Sequence, residues 1–182
     1  MKNRTYKIAT CAMLTAVTAL LSVIAIPMPS MIPISLQCFA IALCGYFAGS
    51  LMGTVSVVVY ILIGAVGVPV FAGLRGGFSV LFGATGGFII GFIPLSLLCG
   101  GFGVFGKSGK YRHAVSISVG LVGLLLCHIS GIIQFMAVMD TDFMTAFLTA
   151  SLPYIIKDVI CVTVAYPVSD ILKKAVRHIH MA

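Results

Sequence analysis

The chain has 182 residues, 60% of them hydrophobic and 8% charged, with 11 Lys and Arg against 4 Asp and Glu for a formal net charge of +7. That composition lies outside the range of water-soluble domains and implies an integral membrane protein, read as one domain over residues 1–182. The excess of cations clusters in a few segments in a way that membrane orientation explains, so no nucleic-acid partner is assigned to it.

Apolar runs extend over Ile8 to Ile26, Ser35 to Gly67, Leu81 to Phe105, Ala114 to Met139 and Phe143 to Leu172. A crossing of about 30 Å needs roughly 20 helical residues. The second run would give a helix of roughly 50 Å, too long for one crossing, so it is expected to fold as two helices turning near Gly49-Ser50. The expected architecture is an all-α integral membrane protein with six transmembrane helices and both termini cytoplasmic. Lys2, Arg4 and Lys7, then Lys107, Lys110 and Arg112, then Lys173, Lys174 and Arg177 fall on the inside, as the positive-inside rule requires, and Arg75, Asp140 and Asp142 fall outside. Lys2 to Ile26 has the basic start and apolar core of a signal peptide, but its long run reads as the first crossing.

On helix one, Ala12 and Ala16 lie four residues apart on one face near the cytoplasmic end, with Ala9 and Ala19 close by; such spacing lets another helix approach. Either packing within the chain or docking of a partner meets that description. The segment Pro27 to Pro33 has three prolines and no charge, a stiff apolar connector suited to a lid. Gln37 comes next at the outer surface, where its amide faces water or an outward-opening cavity. Gly45, Gly49 and Gly53, and again Gly83, Gly87 and Gly91, form small-residue ladders that suit close helix packing.

From Tyr60 to Phe92 two apolar runs are joined by a loop rich in glycine. Pro69 ends the first run near Gly67, because proline lacks the N–H and drives Val68 to extended backbone. Gly73, Gly76, Gly77, Gly83 and Gly86 come after it, around a single charge at Arg75. If a helix starts at Gly83 to Gly87, its free N–H groups offer an anion site.

Gly101 to Ser108, GFGVFGKS, fits the phosphate-loop pattern, and Asp140 resembles its acidic companion. Both require a strand feeding the loop, whereas the preceding residues complete a membrane helix, and helix five separates the two sites. Lys107 and Lys110 are therefore read as topology charges. His128 and Gln134 are the polar residues of helix five; His128 is deep enough to need a hydrogen-bond partner. Helix six carries Lys157-Asp158 in an otherwise apolar run, and each such charge costs about 3 kcal/mol near the bilayer centre. Adjacent helical residues point about 100° apart, so the two are not expected to pair well with each other. The six cysteines fall inside apolar runs without metal or redox spacing and read as small buried hydrophobes.

Pro69-Val70-Phe71-Ala72-Gly73, then Arg75-Gly76-Gly77, then Gly83-Ala84-Thr85-Gly86-Gly87 with Phe88 resembles the signature of the BioY family, the biotin-specific substrate-binding (S) component of energy-coupling-factor (ECF) transporters. Ile32-Pro33-Ile34-Ser35-Leu36-Gln37 is similar to that family's first outer loop. Ala84 departs from the family's usual proline, which loosens the turn before helix four. The resemblance implies an S-component-like bundle that captures biotin outside and delivers it inward with a membrane coupling subunit and ATPase subunits. ATP is used by the partners; the chain itself is no enzyme and needs no cofactor, catalytic residue or metal.

Residue by residue, the resemblance implies docking of the coupling subunit at Ala12 and Ala16. Asp158, after Pro153-Tyr154, matches the family's acidic residue on the last helix. The family often has glycine before that acid and lysine three residues after it, where this chain has Lys157 and Cys161, so the basic partner is either Lys157 or Arg75. Biotin's ureido N–H groups suit Asp158 and its carbonyl suits Gln37 or Lys157. Phe71, Phe88 and Tyr154 supply an apolar wall, with Gly73 in the shaped loop, and the valerate carboxylate suits Arg75 and the amides around Thr85. The competing reading is a self-contained channel or proton-coupled carrier built on His128, Lys157 and Asp158.

Overall fold

A computed structural model describes residues 2–28, 32–101 and 111–181. Its elements in order are α1 (Lys2–Val23), a two-stranded antiparallel hairpin of β1 (Ala25–Ile26) and β2 (Ile34–Ser35), α2 (Gln37–Ala65), α3 (Phe78–Leu81), α4 (Gly86–Gly101), α5 (Arg112–Met139), α6 (Phe143–Ala146) and α7 (Leu152–Met181). Five residues of π-helix, Phe147–Ser151, join α6 to α7 in one continuous arm. Among the described residues, four helical stretches are long and apolar enough to cross a membrane, and α4 is a shorter apolar helix. This is a multi-pass membrane architecture.

The 29 residues of α2 are not one rod. Gly49 has φ +83° and ψ 172°, backbone that only glycine adopts readily, and the helix breaks there. The Gln37 amide donates to the Tyr60 hydroxyl at 2.8 Å, although those residues would lie roughly 35 Å apart on a straight helix. Gly53 likewise sits against the backbone of Cys44 and Gly45. The two halves, 37–48 and 50–65, therefore run antiparallel as a hairpin, with the fold-back at the expected position. The sequence reading placed Gly49 in a packing ladder as well; a side chain there would touch nothing, and its role is the turn.

α4 packs between α2 and α5. Gly45 admits the Ser96 carbonyl and Cys99, and Gly91 admits Cys127 and Ser130, approaches that any Cβ would block. Tyr60, Phe71, Ile41, Leu95, Val57 and Val162 are the large side chains fully withdrawn from the surface. Five of the six cysteines are buried and all six are free thiols. The apolar run expected over Leu81 to Phe105 is interrupted: α3 ends at Leu81, the Gly86 N–H then donates to the Gly83 carbonyl across a turn, and α4 begins only at Gly86. Pro153 stands at the start of the last helix, directly after the π turn, where its missing N–H leaves a carbonyl of the preceding turn without the usual helical donor, and Pro167 lies inside the same helix.

The bundle has two unlike ends. One gathers the β hairpin, the 66–85 loop, and the turn carrying Asp140 and Asp142, so that it holds Arg75 with those two acids. Asp142 caps α6, accepting from the Met144 and Thr145 amides and from the Thr145 hydroxyl at 2.6 Å, and that hydroxyl leads the contacts holding its carboxyl below the usual range. The opposite end gathers the Gly49 fold-back, the C-terminus of α4 and the start of α5, with His113 near Asp170 at 3.9 Å. Arg4, Lys7, Arg112, Lys173 and Lys174 belong to this second end. Residues 102–108 of the phosphate-loop match lie outside the described residues, as do Lys107 and Lys110; the segment leading into them is helix, and Asp140 caps the far end of α5.

Candidate functional site

The expensive pair on α7 lies beneath the hairpin end. Asp158 is 4% exposed. Lys157 Nζ lies 2.5 Å from its Oδ1, and His128 Nε2, from α5, lies 3.5 Å from its Oδ2. The expectation that neighbours on one helix do not pair is corrected here. A lysine stem is long and flexible enough to bring its ammonium back to the adjacent carboxylate. Oδ1 is thereby held by the ammonium, and the buried Cys38 thiol stands against the same carboxylate.

The same ammonium donates to the Ser35 carbonyl of β2 at 2.8 Å. From there a polar chain crosses the molecule: the Ser35 hydroxyl donates to Gln37 Oε1 at 3.1 Å, Gln37 Nε2 donates to the Tyr60 hydroxyl, and that hydroxyl donates to the Val70 carbonyl at 3.1 Å. On the other side, His128 Nδ1 pairs with the Ser151 hydroxyl at 2.8 Å. The Tyr154 hydroxyl donates to the Ile32 carbonyl at 2.5 Å, so α7 grips the hairpin segment at two points, Ile32 and Ser35.

Above this network lies a small void of about 50 Å³, lined by Ile32, Gln37, Phe71, Arg75, Thr85 and Phe88 among others. Phe71 is held edge-on against Tyr60 at 5.6 Å, and Phe88 edge-on against the His128 ring at 5.7 Å. Gln37 and Phe88 thus belong to the void and touch the ionic network. Backbone shape sets the mouth: Phe71 and Arg75 exchange hydrogen bonds of 2.9 and 3.3 Å around a tight turn in which Gly73 and Leu74 have φ of +72° and +59°. Arg75 is exposed there and also borders two open crevices, one with Pro27, Met28, Pro33 and Gly73, the other with Ser79, Gly83, Thr85 and Met139. Gln134 Nε2 fixes the turn before α4 by donating to the Leu81 and Gly83 carbonyls at 2.7 and 2.9 Å.

A family model described as the BioY family matches residues 1–178. The chain belongs to the BioY family. Among similar curated proteins, the "Probable biotin transporter BioY" of Pyrococcus horikoshii is 34% identical over 160 residues, covering 88% of this chain and 90% of its own. The "Biotin transporter BioY" of Thermotoga maritima is 33% identical over 143 residues, 79% of this chain and 82% of its own. A crystal structure described as the S-component for biotin from an ECF-type ABC transporter superposes with a TM-score of 0.85, covering 95% of this chain and 93% of the other at 24% identity, a likeness of fold.

In this BioY-family chain, five of the residues singled out from sequence, Gln37, Phe71, Arg75, Thr85 and Phe88, line one void. Lys157 and Asp158 join them through Ser35 and Gln37, and Tyr154 joins through Ile32. Gly73 stands apart in the outer crevice, where it shapes the turn. Of the two candidate bases for Asp158, Lys157 makes the contact, while Arg75 lies at the mouth. Ser35, Tyr60 and Ser151 carry no assignment from sequence, because a serine or tyrosine in an apolar run gives no local sign of its partner. Ser35 does sit inside the hairpin motif and Ser151 two residues before Pro153, but neither position names a partner.

Lys157 is the charge that makes a buried Asp158 tolerable. Lys157→Met is expected to destabilise the detergent-solubilised protein by about 3 kcal/mol, the low end for breaking a buried pair because His128 remains. Adding Asp158→Asn should recover at least half of that loss in thermal unfolding. Equal melting of the parent and Lys157→Met would show that the ammonium contributes nothing to holding the acid.

Proposed function

We propose that this chain is the substrate-binding component of an ECF-type transporter, capturing biotin at the hairpin end and passing it inward with an ATP-driven module. The observation that carries the reading is the buried Asp158 carboxylate, whose Oδ1 meets the Lys157 ammonium, linked through Ser35 and Gln37 to a void whose mouth bears Arg75, in a chain whose relatives are named biotin transporters. A ureido ring offers N–H donors to that oxygen. Its carbonyl meets the Lys157 ammonium or the Gln37 amide, both already in the polar chain. Phe71, Phe88 and Tyr154 then flank the bicyclic body, and the valerate carboxylate reaches Arg75 and the amides around Thr85. No bond is made or broken on this chain. It is a transport component and no enzyme, and ATP is consumed by its partners.

The void of about 50 Å³ is far below the roughly 300–1,000 Å³ of small-molecule sites. Binding therefore requires the hairpin and the 66–85 loop to move apart, and the few bonds from Tyr154 and Lys157 to the hairpin are the ones released. Hydrogen bonds to a charged group are worth about 1.5–3 kcal/mol, so Asp158→Asn is expected to weaken biotin by roughly one to two orders of magnitude in isothermal titration. Arg75→Ala should weaken biotin more than an uncharged biotin amide. Unaltered biotin affinity in folded Asp158→Asn would overturn this placement of the ligand.

Six crossings result from counting both halves of α2, with the cationic end cytoplasmic and the hairpin end outside. Cysteines introduced at positions 75 and 141 should label from outside intact cells; labelling at position 109 from outside would sink this orientation.

The coupling subunit is assigned to α1. Ala9, Ala12 and Ala16 are exposed there, beside exposed Met13, whereas Leu14, Thr15 and Thr18 face the bundle. A face of small side chains left uncovered by its own bundle suits a second helix in the membrane. Ala16→Trp is expected to keep biotin binding while abolishing uptake and co-purification with the coupling subunit. Normal co-purification would place the partner on another face.

A further inference from the structure

The His128 ring is held on three sides. The Ser151 hydroxyl lies 2.8 Å from Nδ1, Asp158 Oδ2 lies 3.5 Å from Nε2, and Phe88 meets the ring edge-on. The ring is buried and does not line the void above the network. A carboxylate oxygen accepts, so an Nε2–H is the group that suits Oδ2, and Nδ1 is left for the Ser151 hydroxyl. Ser151 is fully buried at the end of the π turn, Phe147–Ser151. One extra residue in a turn rotates the next stretch of helix by about 100°, and this irregularity sets the hydroxyl against α5.

We propose that His128, oriented by Ser151, is a positioning residue for biotin recognition: it fixes Asp158 through Oδ2 and so presents Oδ1 to the ligand. This rests on the reading of Asp158 as a ligand-binding residue. Two oxygens then have separate duties, one tied to the scaffold through His128 and one shared between Lys157 and the ligand. Through its contact with Phe88, the same ring also seats part of the apolar wall. The arrangement obeys the rule that a recognition group is only as well placed as the groups behind it.

The test is a double-mutant cycle read by biotin titration on the purified protein, with His128→Phe and Asp158→Asn singly and together. If His128 acts through Asp158, His128→Phe weakens biotin by roughly 10-fold or more in the parent and by less than about 3-fold in the Asp158→Asn background. Ser151→Ala should weaken biotin by roughly 3- to 10-fold, and Ser151→Thr, which restores a hydroxyl, should return most of it. These serine variants carry the test if His128→Phe does not fold. An equal loss from His128→Phe in both backgrounds, with Asp158→Asn itself impaired, would overturn the positioning role while leaving Asp158 as a ligand residue. Unchanged affinity in Ser151→Ala would overturn it too. Tight binding by Asp158→Asn would remove both readings together.

Discussion

A carboxylate withdrawn from water inside a membrane protein must be compensated, and that constraint organises the hairpin end of this molecule. Removing such an ion from water costs several kcal/mol even after relaxation, so a lone Asp158 would disfavour the closed bundle. Three elements answer it: α7 supplies Lys157, α5 supplies His128, and β2 takes the second interaction of the ammonium through the Ser35 carbonyl. Under the proposed function this acid is kept for the ligand at the expense of stability, as groups in recognition sites commonly are.

The rest of the fold serves to bring those elements to one place. Gly49 reverses α2, so that Gln37 and Tyr60, far apart in sequence, become hydrogen-bonded neighbours and the loop after residue 65 returns to the hairpin end. Close approach at Gly45 and Gly91 lets α4 sit between α2 and α5, and this places Phe88 against the His128 ring. Packing in a bilayer draws little from the hydrophobic effect between helices, so small residues at contact points and hydrogen bonds such as Ser130 to the Gly87 carbonyl carry much of the specificity.

The two ends have different mechanical characters. The fold-back end is built of helix termini in direct contact, with Gly100 against Gly49 and Ser50. The hairpin end consists of short strands, a tight turn at Gly73 and Leu74, and a loop held mainly by individual side-chain bonds. Such segments open at lower free energy than packed helices. A ligand that replaces the Lys157 and Tyr154 contacts with its own would trade one set of polar bonds for another, so opening and capture can be balanced closely. The exposed alanine face of α1 lies on a helix whose other side is fixed to α2 by Thr15 and Thr18, which leaves the proposed docking face and the proposed capture end on separate surfaces.

Periodicity and composition were sufficient for the membrane class, for the placement of the long helices and for the break at Gly49, because apolar length against bilayer thickness is a one-dimensional property. The glycine and proline pattern from Pro69 to Phe88 was likewise legible, since backbone demands are local. Asp158 stands out by its cost and by its match to the family's acidic residue on the last helix. What sequence does not supply is who answers that cost: helical spacing turns Lys157 away from its neighbour, leaves Arg75 an equal candidate, and marks His128 only as a group in need of a partner. Ser35, Tyr60 and Ser151 were invisible as partners. Those relations depend on distances between residues up to 122 positions apart in the chain, and on a π turn that rotates Ser151 toward α5. Side-chain direction across a helix interface is fixed by packing in three dimensions, and only the tertiary structure decides it.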